Sequence, residues 1–323
     1  MSGKEMNQEM SKEKEIKTVE TECCVCGSKK HRLLTTGQDY EYGSCCNRFR
    51  VVACRRCAHV YLNPKPKLEE FAVIYPDNYY AYDFLNDQKF ALARTGKRLI
   101  EKGHIKLYRD LIGKTGKILD IGCGDGRLLS LLKGAGSAWE LQGLDFNERG
   151  NRIAESKGLK VHYGKFEELP FAGGSFDLVI MNEVLEHLYN PCESLAKAKE
   201  ILKPGGYLVI ETPCLGSWDY RLFKNSSWGG YHLPRHLNLF SRKSIRRVLE
   251  KAGFEMVKVS SLFSPPFWIL SLHHLAYDRG WNKTVVKSLN FYNPLWLAIF
   301  TFVDLIQMRF GPTSTMRVIA RKK

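Results

Sequence analysis

The chain has 323 residues, 44% apolar and 26% charged, a balance ordinary for a globular protein. It is enough for one large domain beside a smaller one, and it excludes wholesale disorder. The formal charge of +15 is spread along the sequence rather than gathered in one arginine-rich tract, which suits RNA, anionic lipid or merely solvated lysines. Ten cysteines without an apolar leader exclude a secreted disulfide scaffold and point to a reducing, cytoplasmic setting with a metal site.

Residues 1–20 are polar and aperiodic and read as a flexible tail. Cys23-Cys24-Val25-Cys26-Gly27 and Cys54-Arg55-Arg56-Cys57 then form two Cys-x-x-Cys knuckles separated by strand-like sequence. Four thiolates in two knuckles make a closed tetrahedral site, so Cys23, Cys26, Cys54 and Cys57 are expected to hold a structural zinc. Cys24, Cys45 and Cys46 are spare, and any of them can replace an assigned ligand. Tyr75, Tyr79 and Tyr80 either line a ligand mouth or pack the small domain onto the large one. Residues 88–112 read as a helix with a basic, solvated face of Lys97, Arg98, Lys102, Lys106 and Arg109.

Lys117-Ile118-Leu119-Asp120-Ile121-Gly122-Cys123-Gly124-Asp125-Gly126 reads as strand, glycine turn and the start of a helix at Arg127. Such a turn brings a ligand to bare backbone at the positive end of a helix. Arg127 stands where a dinucleotide fingerprint wants its third glycine, so Gly-x-Gly-x-Gly is the better description. Glu140–Asp145 is a second strand ending in an acid, at the position from which a carboxylate reaches ribose hydroxyls. A helix from Asn147 to Lys157, a third strand Leu159–Gly164, a fourth Ser175–Met181, a helix opened by Asn190-Pro191 and a fifth strand after Leu202 follow. Strands alternating with helices imply a parallel sheet with its ligand at the carboxyl ends.

Glu183, Glu186 and His187, if they begin a helix, face one direction at the mouth of the fourth strand. Two carboxylates and an imidazole suit Mg²⁺ or Mn²⁺, and His187 is otherwise a general base or a structural histidine. Trp218, Trp228, Gly229, Gly230, Tyr231, His232, Arg235 and His236 lie in an irregular stretch that reads as a substrate lid, with His232 or His236 completing a metal site or acting as base. Ser241 caps a further helix, ended at Gly253. Segment 261–313 is an apolar helical insertion too short and too interrupted by Asp304 to span a bilayer comfortably. It covers the pocket, lies on a membrane surface or forms a dimer contact.

In this order the motifs from about residue 90 to 260 resemble the class I S-adenosylmethionine-dependent methyltransferases. The resemblance implies an α/β, doubly wound, mostly parallel seven-stranded sheet whose last strand, here Thr315–Ala320, is antiparallel. The expected layout is a tail (1–20), a zinc-ribbon segment (21–85), a methyltransferase core (86–260), the insertion (261–313) and the last strand (314–323). It implies S-adenosylmethionine approached by Gly122, Gly124 and Gly126, with Asp120 near its amino-acid end, Asp145 on the ribose and Asn182 and Phe166 nearby. Lys165 departs from the family, in which an acid near this position often contacts the adenine. Phe166 either stacks on that ring or belongs to the core. The cysteine block is similar to zinc segments of glycan-pathway methyltransferases. Glu183, Glu186 and His187 resemble the metal site of ubiquinone-pathway O-methyltransferases and small-RNA 2'-O-methyltransferases. The resemblance implies methylation of a small-molecule, sugar or lipid-linked acceptor, and the apolar insertion adds the expectation of peripheral membrane contact through 262–310. The alternatives are an RNA methyltransferase whose ribbon contacts RNA and a non-catalytic cofactor-binding partner protein.

Overall fold

The computed structural model describes residues 14–76, 91–290 and 292–323, the side chains of 91–101 excepted. Its strands are β1 (Thr18–Val19), β2 (His31–Gly37), β3 (Phe49–Cys54), β4 (Val60–Leu62), β5 (Lys65–Pro66), β6 (Thr115–Ile121), β7 (Ala138–Asp145), β8 (Lys160–Tyr163), β9 (Phe176–Asn182), β10 (Leu202–Leu215), β11 (Asn238–Ser241), β12 (Phe254–Leu262) and β13 (Thr315–Lys322). Seven of them form the expected core, in the order β8-β7-β6-β9-β10-β13-β12. The first five run parallel, and β13 is antiparallel to both neighbours. Ile118, Leu119 and the run Leu178–Met181 are wholly buried, as parallel strands covered on both faces must be.

Local chemistry sets the connecting helices. The Asn147 side chain accepts from Gly150 N at the start of Glu148–Ser156. Pro191 opens Pro191–Ile201 at its first turn, and Ser241 and Ser244 form a capping box ahead of Arg242–Lys251. The strand order reverses direction between β6 and β9, and a ligand crevice forms at the carboxyl ends of such a pair. The register Ile121↔Met181 places the glycine turn and the Asn182–His187 segment side by side at that edge.

Two glycines of the turn have different tasks. A Cβ on Gly126 (φ 73°) would stand 2.4 Å from Leu159 Cδ1 and 2.9 Å from Ala154 Cβ, so this position lets the helix Glu148–Ser156 close on the turn. Gly124 (φ 52°) has nothing within 4 Å of its Cβ direction and faces open space.

The cysteine-rich segment does not stand apart from the core. Its antiparallel strands β2, β3 and β4 continue through β11 onto the end of β10, giving one eleven-stranded sheet. The expected tail also begins earlier to be ordered: Ile16 is buried, its N–H donates to Asn47 Oδ1 at 2.8 Å, and β1 pairs with β5. An apolar side chain with a place to bury it overrides the polar composition around it. Residues 1–13, and Tyr79 and Tyr80 of the tyrosine cluster, lie outside the described residues, as do the side chains of Lys97 and Arg98.

Segment 261–313 is helical, with helices Pro265–Asp278, Lys283–Ser288 and Pro294–Phe310. The stretch 228–236, expected as a lid, is interior instead. Trp228 and Arg235 are fully buried, and Gly229 sits so close beneath helix Pro265–Asp278 that a Cβ would stand 2.6 Å from Leu270 Cβ. The aromatic side chains that suggested a binding loop are used to fill the space between sheet and insertion.

Gly126→Ala should cost about 2 kcal/mol or more in urea unfolding, from overpacking together with the left-handed backbone, whereas Gly124→Ala should cost about 1 kcal/mol, from backbone strain alone. Equal losses would contradict this division of roles.

Candidate active site

Asp145 closes the glycine turn. Its Oδ2 accepts from Gly124 N at 2.8 Å and its Oδ1 from Asn147 N at 2.8 Å, which leaves a further lone pair on each oxygen for a diol. Burial raises the Asp145 carboxyl above its ordinary range. Burial, with the neighbouring Asp145 charge, pushes Asp120 up to about 8. Asn182 Oδ1 is buried without a hydrogen-bond partner among the described residues. Phe166 belongs to the core: it is 2% exposed and packs against Phe171 with ring centroids 6.3 Å apart. The accessible ring is that of Phe146, directly after Asp145, which is exposed and meets Tyr75 edge-on at 5.6 Å. Lys165 is occupied with Glu168 at the surface.

Segment 183–187 is a turn and not the helix expected from its spacing. Glu183 takes a left-handed backbone (φ 52°), uncommon for a residue with a side chain and characteristic of functional sites. Its N–H is held by Glu211 O at 2.8 Å, so the chain bends sharply as it leaves β9. Glu183 is exposed to solvent, and desolvation by the surrounding protein and the adjacent Glu186 carboxyl both raise its pKa. The Glu186 carboxyl lies beside that of Glu183. It is fully buried, with Oε2 accepting from Thr212 Oγ1 at 2.9 Å and Oε1 lacking a partner among the described residues. Burial pushes it up to about 7.

The third member of the cluster is His236. The Glu186 backbone carbonyl accepts from Leu237 N at 2.8 Å and Asn238 N at 3.0 Å, which sets His236 against His187 with ring centroids 4.7 Å apart. Ligand atoms of Glu186, His187 and His236 all lie within 4.8 Å of one another. This trio differs from the expected Glu183, Glu186 and His187 set: Glu183 lies beside Glu186, but the turn leaves it outside the group whose ligand atoms converge. His187 Nδ1 faces the Arg235 carbonyl at 3.2 Å and the Tyr75 hydroxyl at 2.9 Å. His236 Nδ1 faces the Gly230 carbonyl at 2.8 Å. A carbonyl only accepts, so each Nδ1 carries the proton and each Nε2 keeps its lone pair. Burial depresses both imidazoles, His187 to about 3. His232 stands outside the trio, its Nδ1 paired with Glu41 at 2.6 Å.

Two acids absent from the sequence reading hold this loop. Asp39 and Glu41 lie between β2 and β3, and the Asp39 carboxylate receives both terminal nitrogens of Arg235, at 3.1 and 2.8 Å. Burial alone would raise Asp39, but the guanidinium and Ser44 hold it down to about 2. Nothing short of the fold brings Asp39 and Glu41 to residues 232–235, so no local pattern marks them. Tyr75 had a local signal, the tyrosine cluster, and it reaches His187.

In the cysteine segment, Cys23, Cys26, Cys54 and Cys57 converge with their sulfurs within 4.8 Å, and each of the pairs Cys23 to Cys57 and Cys26 to Cys54 is 3.5 Å apart. The spare Cys24 turns away to His59 Nε2 at 3.6 Å. Gly27 (φ 70°) and Ala58 (φ 61°) turn the two knuckles.

A family model described as a methyltransferase domain matches residues 91–259, just over half of the chain. The chain is similar to an uncharacterized protein of Methanocaldococcus jannaschii, 29% identical over 163 residues that cover 50% of this chain and 75% of that protein. It is 33% identical to a ubiquinone biosynthesis O-methyltransferase of Thiobacillus denitrificans over 184 residues, 53% of this chain and 77% of that one. With the enzyme of the same description from Cereibacter sphaeroides strain ATCC 17025 it shares 30% identity over 168 residues, 48% and 67% of the two chains. With the glycine turn, the acid ending β7 and the seven-stranded core in place, these likenesses establish that the chain belongs to the methyltransferase domain family and is a class I S-adenosylmethionine-dependent methyltransferase.

Proposed function

We propose that this methyltransferase transfers the methyl group to a hydroxyl of a small-molecule, sugar or lipid-linked acceptor held at Glu186, His187 and His236. The observation that carries this reading is the convergence of a fully buried carboxylate with two imidazoles whose outer nitrogens are tied to backbone carbonyls. Metal-binding histidines are commonly oriented in this way. The relatives named as O-methyltransferases support hydroxyl as the acceptor group. The donor set fits a divalent cation that accepts imidazole, Mn²⁺ rather than Mg²⁺, since magnesium prefers oxygen ligands and retained water. Such a cation, when bound, lowers the pKa of a hydroxyl and fixes its position.

The remaining tasks fall to the chain itself. The open side of Gly124 admits the cofactor to the backbone, Asp145 accepts the ribose hydroxyls, and Phe146 offers its face to the adenine in place of the buried Phe166. Because the sulfonium already carries an activated methyl group, alignment and exclusion of water are what the site must supply. In the ribbon, Cys23, Cys26, Cys54 and Cys57 form a closed thiolate set with the composition of a structural zinc site.

Calorimetric titration with S-adenosylmethionine and a Mn²⁺ titration followed by electron paramagnetic resonance test the two halves separately. Asp145→Ala should weaken cofactor binding by about tenfold or more, the loss of charge-assisted hydrogen bonds, and leave Mn²⁺ affinity unchanged. His236→Ala should do the reverse, weakening Mn²⁺ about tenfold or more. If His236→Ala keeps its Mn²⁺ affinity, the metal reading fails and a histidine base stands in its place. Methyl-labelled cofactor supplied with hydroxylated acceptors and their amine analogues should label the hydroxyl compounds, and transfer to amines alone would refute O-methylation. Metal analysis should find one zinc per chain in the native protein and none in Cys54→Ser, while a zinc-free native protein would remove the ribbon assignment.

A further inference from the structure

Helix Pro294–Phe310 carries an apolar outward face, and two of its polar side chains, Asp304 and Gln307, turn inward and are fully buried. Asp304 accepts from Ser264 N at 2.6 Å and Trp268 Nε1 at 3.2 Å, and Gln307 Nε2 donates to the Pro312 carbonyl. Its outward positions carry Leu295, Ile299, Phe302, Leu305, Ile306 and Phe310, among which Phe302 is 64% and Phe310 76% exposed. Their spacing of three and four residues makes them one continuous stripe. A helix on the surface of a water-soluble domain normally shows the opposite arrangement, and an exposed apolar face of this extent marks an interaction surface.

The stripe continues beyond its own helix. Phe310 stacks on Trp218 with centroids 6.4 Å apart, and Leu222 of the same short helix Trp218–Phe223 is also exposed. This helix follows β10 at the carboxyl edge of the sheet, the edge that holds the candidate active site. Trp281 and Tyr292 are exposed as well, and tryptophan and tyrosine favour the level of lipid headgroups.

Charge selects the partner. Between residues 279 and 311 the exposed charges are Arg279, Lys283, Lys287 and Arg309, all basic, while the single acid, Asp304, is buried. A second copy of this chain would bring like charges to the same face, whereas an anionic surface complements them. No helix among the described residues is long and apolar enough to cross a membrane, so the mode that fits is lying on a bilayer rather than spanning it. We infer that the face built by helices Lys283–Ser288 and Pro294–Phe310 docks the enzyme onto an anionic lipid bilayer, with the apolar stripe in the headgroup boundary and the basic side chains on the phosphates.

Cosedimentation with sucrose-loaded vesicles tests this. The native protein should pellet with vesicles of phosphatidylcholine mixed with phosphatidylglycerol, far less with phosphatidylcholine alone, and progressively less as salt rises. Phe302→Ser should weaken partition about tenfold or more. The double variant Lys283→Glu and Lys287→Glu should weaken binding to the anionic vesicles by about tenfold or more. All three positions are exposed, so both proteins should unfold at the native temperature. Native protein that stays in the supernatant with anionic vesicles overturns the inference. So does equal binding to neutral and anionic vesicles, or a stable dimer by light scattering that Phe302→Ser dissociates.

Discussion

The ion pair between Arg235 and Asp39, wholly buried on both sides, is the constraint on which the site depends. Taking a guanidinium and a carboxylate out of water costs several kcal/mol for each ion, roughly offset only when the geometry is bidentate and the remaining donors are satisfied. The geometry here is bidentate, and Arg235 Nη1 also donates to the Leu233 carbonyl at 3.2 Å. Asp39 also receives Ser44 N and Oγ, and the guanidinium lies over the Tyr42 ring at 4.3 Å. Because either partner alone would be a stranded charge, the pair fixes the backbone of residues 232–236 against the β2–β3 loop. The consequence at the site is direct: the carbonyl of Arg235 orients His187, and the chain just beyond it places His236.

This ties the cysteine segment to the candidate active site. A cysteine segment in front of a methyltransferase core suggests an appendage joined by a linker. Here β4 pairs with β11, and β11 with the end of β10, so ladder hydrogen bonds run without a break from the thiolate cluster to the crevice. His59, between the second knuckle and β4, stacks on Tyr61 and shares Asn238 with Cys24. Asn238 in turn donates to Leu188 O, on the far side of the Glu183–His187 turn. Folding energy from the ribbon's closed cysteine set would thus reach the histidines through a short series of direct contacts.

What could be read from the sequence was local in origin. The glycine turn, the acid at the end of β7, the Ser241 cap and the paired cysteines each depend on residues a few positions apart, and the structure places all of them as expected. The failures share a different cause. Glu183, Glu186 and His187 have helical spacing, but the turn is decided by Glu211, Leu237 and Asn238, which claim the backbone groups a helix would have used. Phe166 and the 228–236 stretch look like ligand-facing aromatics and are core, because burial is a tertiary property that composition does not encode. Asp39 and Glu41 sit nearly two hundred positions from their partners. In the insertion the apolar, helical character was legible, but which face turns outward is set by the partners of Asp304.

The claim that the ribbon holds the histidine loop is tested most directly by hydrogen exchange on the native protein before and after removal of metal with a thiol-compatible chelator. Amides of residues 229–238 should lose protection together with those of β2–β4, while β6 and β9 stay protected. If the ribbon amides become labile and residues 229–238 keep their protection, the loop is held by the core alone and the account is wrong.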